Sequence, residues 1–271
     1  MRLLGSALVT APSLASLDAP SSRDLHVERW AGRPARLARM DRLCAVALVA
    51  ADGALLDAGV TVPSHALARV GVVLGTAFGC HATNEAYDAG ARQGAPSPRV
   101  FAYTLPSSAV GEISIHAELT GPASTMVSGL TAGLDALREA RRHLDAGRAD
   151  RMLVVAADVM TPTVARLTSV ALPQHDAACA LFLDGTLPMV SSARFVANDP
   201  MLAARRCLEA LELGGIDESW GPRGLALPGT HHDLDESLLA AAPLAALRQA
   251  RGRSLFVAID PSGTATAVVV G

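Results

Sequence analysis

Residues 131–157, TAGLDALREARRHLDAGRADRMLVVAA, decide the fold. Leu134, Leu137 and Leu144 fall on one helical face, and Arg138, Glu139, Arg141 and Arg142 on the other. That spacing predicts an amphipathic helix over Thr131–Ala146. Gly147 supplies the left-handed stop. After the polar turn Arg148–Asp150, every position of Met152–Ala157 is apolar, the mark of a strand buried on both faces. A helix, a tight turn and a two-sided strand form the unit of a sheet covered by helices.

The same unit recurs on either side. Val70–Leu74, Ala177–Leu183, Leu255–Ile259 and Ala265–Val270 are short apolar runs bounded by turn residues or charges, and each reads as a strand. Asp41–Ala58, closed by Gly59, and Pro200–Leu213, closed by Gly214 and Gly215, read as helices. Glu236–Ala250 reads as a last helix that Pro243 kinks or splits. Strands alternating with helices imply a largely parallel sheet covered on both faces. Gln93–Pro106 reads as irregular, and Asp184–Ala197 as the junction between a long first half and a short second one.

Composition bounds the function. Hydrophobic residues make up 50% of the 271 and aromatics only 3%, so Ala, Leu and Val must build the core. A net charge of −3 gives no electrostatic footprint for nucleic acid. Arg33–Arg42, the richest basic stretch, reads as a loop leading into a helix. Met1–Pro12 has no apolar core followed by a credible cleavage site, which argues against a signal peptide. No apolar run reaches the ~18 residues of a membrane span. Cys44, Cys80, Cys179 and Cys207 form no CxxC pair, as in a cytoplasmic protein with free thiols.

Several segments, taken in order, resemble a ketosynthase. They are Met40-Asp41-Arg42 with a helix ending at Gly59; Val70–Thr76 with Gly79; and Ser97–Phe101 through Pro106, with Gly111-Glu112-Ile113-Ser114. Gly121-Pro122 follows, leading to a strand and the helix ending Gly147-Arg148-Ala149-Asp150, and then Asp176–Leu183. The resemblance covers residues 1–190 well and 191–271 loosely. It implies a thiolase-like αβαβα layered α/β fold with a truncated second half. Residues 1–190 would be a ketosynthase-like N-terminal half, and 191–271 a shortened C-terminal half packed with it as one domain.

A ketosynthase takes an acyl chain onto a cysteine at a helix N-terminus, and two histidines assist the condensation. Counting back from Gly147–Asp150, the resemblance places the cysteine position at Leu130, which has no nucleophilic atom. The best match to the first histidine turn is Pro228–Asp233, which puts Pro228 at the histidine position. The segment of the second histidine reads as deleted, and the gating loop as reduced to Asp260–Thr264. This pattern resembles the chain-length factors of type II polyketide systems and the short ketosynthase-like subunits of aryl polyene pathways. It implies a catalytically inactive partner, without cofactor or metal, that pairs with an active ketosynthase and meets acyl carrier protein only indirectly. In the related fold Phe101–Ser128 meets the partner. Phe101, Tyr103, Leu105, Ile113, Ile115, Met126 and Val127 are therefore the interface and tunnel candidates.

Other readings remain open. Cys80, beside His81, could serve a self-standing acyltransferase or condensing enzyme as a relocated nucleophile, though adjacent residues rarely converge on one reaction centre and a buried thiol is the plainer reading. A structural homodimer is a third possibility. His231-His232-Asp233 lacks a third ligand at metal-binding spacing and reads as a solvated loop. The Gly75–Gly79 turn has no phosphate-loop signature.

Overall fold

The computed structural model describes residues 2–12, 37, 39–62, 64, 67–168, 175–185 and 189–271. Half of Arg33–Arg42, residues 33–36 and 38, lies outside them. The described elements make two five-stranded sheets.

The first sheet contains β1 (Arg2–Pro12), β2 (Val70–Thr76), β3 (Ala123–Val127), β4 (Arg151–Asp158) and β5 (His175–Asp184), in the order β1-β5-β4-β2-β3. The second contains β6 (Met189–Val196), β7 (Glu218–Gly221), β8 (Thr230–Asp233), β9 (Ser254–Asp260) and β10 (Thr264–Val270), in the order β6-β10-β9-β7-β8. The two orders are equivalent strand for strand, so the sheets repeat one topology. The helices are α1 (Arg42–Asp57), α2 (His81–Arg92), α3 (Pro98–Phe101), α4 (Ser107–Ala117), α5 (Ala132–Asp145), α6 (Pro162–Thr168), α7 (Pro200–Glu209) and α8 (Ala242–Leu247).

Alternation along the strands sorts the core into layers. On β4, Leu153, Val155 and Ala157 face the cluster built on α1 and α4, while Met152, Val154 and Ala156 face the cluster built on α5 and α8. On β9, Phe256 and Ala258 join that same central cluster, while Leu255 and Val257 face α7. The period of two along a strand thus places one helical layer between the sheets and one outside each. This is the αβαβα thiolase-like fold. Small residues let the layers close up. A Cβ at Gly75 would run into the backbone oxygen of Ala132, and one at Gly133 into that of Ala240.

Four expectations need correction. The sheets are mixed rather than largely parallel. Pairs β2–β3, β2–β4, β7–β8 and β7–β9 are parallel, but β1–β5, β4–β5, β6–β10 and β9–β10 are antiparallel. Continuous apolar runs report burial on both faces, not strand direction. Asp184–Ala197 is not mere junction, because β6 lies in it and pairs with β10. Glu236–Ala250 splits, as expected, and the correction concerns only the place, which is before Pro243 rather than at it. A 3₁₀ turn over Glu236–Ala241 breaks at Leu239 (φ 48°, ψ −125°), and Pro243 sits harmlessly in the first turn of α8. His231-His232-Asp233 is not a loop but most of β8, with His232 stacked on Trp220 at 4.3 Å between ring centroids.

Candidate functional site

Strand β3 ends at Val127, and the chain turns sharply into α5 through a 3₁₀ turn at Gly129–Thr131. Gly129 has φ +63°, a conformation that favours glycine. Asp135, buried in the first turn of α5, pins this elbow. Its carboxylate accepts from Ser128 Oγ (2.7 Å) and Thr131 Oγ1 (2.9 Å), and from Thr266 Oγ1 of β10 at 2.9 Å. The elbow of the first half is thereby fastened to the second sheet.

Leu130, at the apex, is half-buried and faces a cavity of about 800 Å³ whose walls include Met201, Pro222, Leu234, Glu236 and Pro261. A smaller apolar recess beside it reaches Leu239, Ala242 and Ala258. The backbone N–H of Leu130 donates to Asp260 Oδ2 at 2.9 Å. The mouth carries Asp233, Asp235 and Glu236. Among the described residues of its wall the one cation is Arg223, within 3.1 Å of Asp233.

The floor is held by a buried acid. Asp158, at the end of β4, accepts through Oδ1 from Thr76 Oγ1 and from the amides of Ala77 and Phe78, and through Oδ2 from the amide of Ala240. Burial pushes its carboxyl up to about 6. The Ala240 bond secures the turn in which Leu239 takes its left-handed backbone, a conformation that costs on the order of 1–3 kcal/mol and persists only when its surroundings hold it.

The structure separates the two residues placed by resemblance. Leu130 lines the cavity and Pro228 does not. Strands β7 and β8 run parallel, with Glu218 opposite Thr230, so Pro228 lies at the far end of the sheet from the cavity. Pro222, directly after β7, lines the cavity together with Leu130. The signal for it was the end of the strand at Gly221, which the sequence reading passed over in favour of a glycine-threonine match. The stretch after β8 is present and walls the cavity through Leu234–Ser237, with no imidazole among its side chains.

Thiols supply no substitute. Cys80 is buried and its Sγ donates to the Thr104 carbonyl at 2.8 Å. Burial raises its thiol, as it raises those of Cys44, Cys207 and Cys179, the last to about 12. A reactive cysteine requires the opposite shift.

The interface candidates divide. Strand β3 is the edge of its sheet. Phe101 (59% exposed), Leu105, Ile115 (71%) and Val127 stand out to solvent nearby in the chain. Met126 packs partly on the central core, and Tyr103 partly on the outer one. The Tyr103 hydroxyl donates to Glu112 at 3.0 Å, and burial together with that carboxylate pushes it up to about 12. Ile113 is fully buried within the protomer, because it lies on the inner face of α4. It therefore cannot meet a partner. None of Phe101, Tyr103 or Leu105 lines the Leu130 cavity.

A model described as beta-ketoacyl synthase, N-terminal domain, matches residues 17–183. The putative polyketide beta-ketoacyl synthase 1 of Streptomyces virginiae is 31% identical over 156 residues, which cover 53% of this chain and 37% of that protein. The oxytetracycline polyketide putative beta-ketoacyl synthase 1 of Streptomyces rimosus is 35% identical over 127 residues, covering 44% and 30%. The chain thus spans about a third of the length of these curated relatives. Among solved structures, the ishigamide ketosynthase/chain length factor superposes with a TM-score of 0.72 at 21% identity, over 99% of this chain and 98% of that one. A beta-ketoacyl synthase from Burkholderia phymatum STM815 gives 0.73 at 14%, with the same coverage. At such identities the likeness is one of fold.

Proposed function

We propose that this chain, which belongs to the beta-ketoacyl synthase family, is a non-condensing partner of an active ketosynthase and helps to shape its acyl tunnel. The observation that carries the reading is Leu130 at the elbow, facing a cavity with neither thiol nor imidazole among the described residues of its walls. Condensation needs a nucleophile and proton-handling groups acting as a unit, and the described walls offer no thiol to begin it. The exposed edge β3, with Val127 on it and Phe101, Leu105 and Ile115 nearby in sequence, is the surface offered to the partner. An obligate interface of that kind buries more than ~2,000 Å² and is markedly apolar. Residues 1–190 and 191–271 act as one domain through the helical layer they share. The assembly works in the cytoplasm on carrier-bound chains of the polyketide or aryl polyene type, and the carrier is received by the partner.

The test is co-expression with an active ketosynthase from the same source. Co-purification at one-to-one mass, with condensation only in the pair, supports the proposal. L130C by itself gives no turnover. Condensation by the purified wild-type chain, or a lone homodimer in the presence of the ketosynthase, overturns it.

A further inference from the structure

The elbow turns the N–H of Leu130 toward Asp260, and that N–H is already spent. Asp260 Oδ2 accepts it at 2.9 Å, while Oδ1 accepts the amide of Ser262 at 2.9 Å. Both oxygens are thus engaged, one across to the elbow and one within the turn between β9 and β10. The contact is close on both sides. A Cβ at Gly129 would overlap the Asp260 carboxylate, so the backbone lies flush against the acid. Around the cavity above, Asp233, Asp235 and Glu236 outnumber Arg223.

Acyl transfer builds negative charge on a carbonyl oxygen and depends on donors aimed at that oxygen. A nucleophile at position 130 would develop that charge beside its own backbone N–H. Here the donor is occupied and the occupant is itself an anion. We infer that Asp260 is a built-in plug of this donor, so that the Leu130 cavity is set against acyl transfer by charge as well as by the missing thiol. The inference rests on reading the cavity as a silenced condensing site. It adds that restoring a thiol alone leaves the site slow to acylate, and it names the residue responsible. Asp260 acts here by position, through the elbow, and touches no substrate.

The experiment compares L130C, L130C/D260N and L130C/D260A as full-length chains. The probe is a neutral thioester, octanoyl-N-acetylcysteamine. The introduced sulfur attacks the carbonyl carbon and forms a new S–C bond. Collapse breaks the old C–S bond, and N-acetylcysteamine leaves and takes up the thiol's proton. Adduct mass against time reads the acylation rate, and iodoacetamide alkylation against pH reads the thiol itself.

The L130C chain acylates slowly. Removing the carboxylate in L130C/D260A raises the rate by about 10²-fold, the scale of one oxyanion donor. L130C/D260N keeps an acceptor for the Ser262 amide, loses the charge, and sets an amide N–H₂ where the Leu130 N–H had its acceptor. It gives a smaller rise, and its alkylation profile moves to lower pH. If L130C/D260A fails to fold, the D260N comparison decides by itself. Equal acylation rates and superimposable alkylation profiles for L130C and L130C/D260N overturn the inference. Condensation by the wild-type chain is measured separately; it would overturn the proposed function and leave the comparison at position 260 intact.

Discussion

Replacing Asp158 with Asn removes a titration that the structure ties to the cavity floor. The carboxyl is fully buried, and burial raises it from 3.8 to about 6 against the pull of its four donors. Its folded value lies above its unfolded one, so the native state holds a proton between about pH 4 and pH 6 that the unfolded chain has released. Stability from this group is therefore fully present below pH 4 and lost as pH rises through about 6. The gap corresponds to about 3 kcal/mol, at 1.36 kcal/mol per pH unit. D158N keeps a carbonyl acceptor for Thr76, Ala77 and Phe78 but sets an amide donor against the Ala240 N–H. Below pH 4, where the wild-type acid holds its proton, it should therefore be less stable by about 1–3 kcal/mol, a deficit that shrinks or reverses by pH 7 because this component of the pH dependence is gone. Urea unfolding of both proteins between pH 4 and pH 7 supplies the measurement. The wild-type curve should fall relative to that of D158N by about 3 kcal/mol across the window. Parallel curves would refute the assignment of a raised, buried acid at the base of the Leu239 turn.

Three further outcomes are expected. A charge on the edge strand, V127D or M126D, abolishes assembly with the ketosynthase, and an unchanged heterodimer mass in light scattering would sink that interface. F101A lengthens the product of the active pair by one or more extension cycles if the Phe101 ring limits the tunnel. The ring is 59% exposed and lies 5.4 Å from Tyr87, centroid to centroid. Its removal should thus cost far less than the ~3–5 kcal/mol of a core phenylalanine, and an intact pair with an unchanged product length clears Phe101 of that role. R42A leaves Asp176 buried without its partner at 2.6 Å and should lose about 3–5 kcal/mol in denaturant unfolding; a loss under 1 kcal/mol would show the pair to be dispensable.

The sequence by itself determined what depends on local period and local chemistry. Apolar runs at Val70–Leu74 and Met152–Ala157 and the two-faced helix between them required buried strands under helices. Counting back from Gly147–Asp150 by the helix length that the ketosynthase resemblance implies led to Leu130, which lies in the turn before α5. Tertiary structure decided whatever depends on direction and on contacts between distant segments. Strand polarity was hidden, because a strand buried on both faces looks the same read either way. Pro222 rather than Pro228 lines the Leu130 cavity because β7 and β8 are parallel, a fact of pairing that no turn motif encodes. The Leu130–Asp260 bond joins residues 130 positions apart, and Asp158 reaches Ala240 across 82. Nothing in the neighbourhood of either acid marks it as the anion at an elbow or under a strained turn; only the packing of two sheets around one helical layer brings each to its donors.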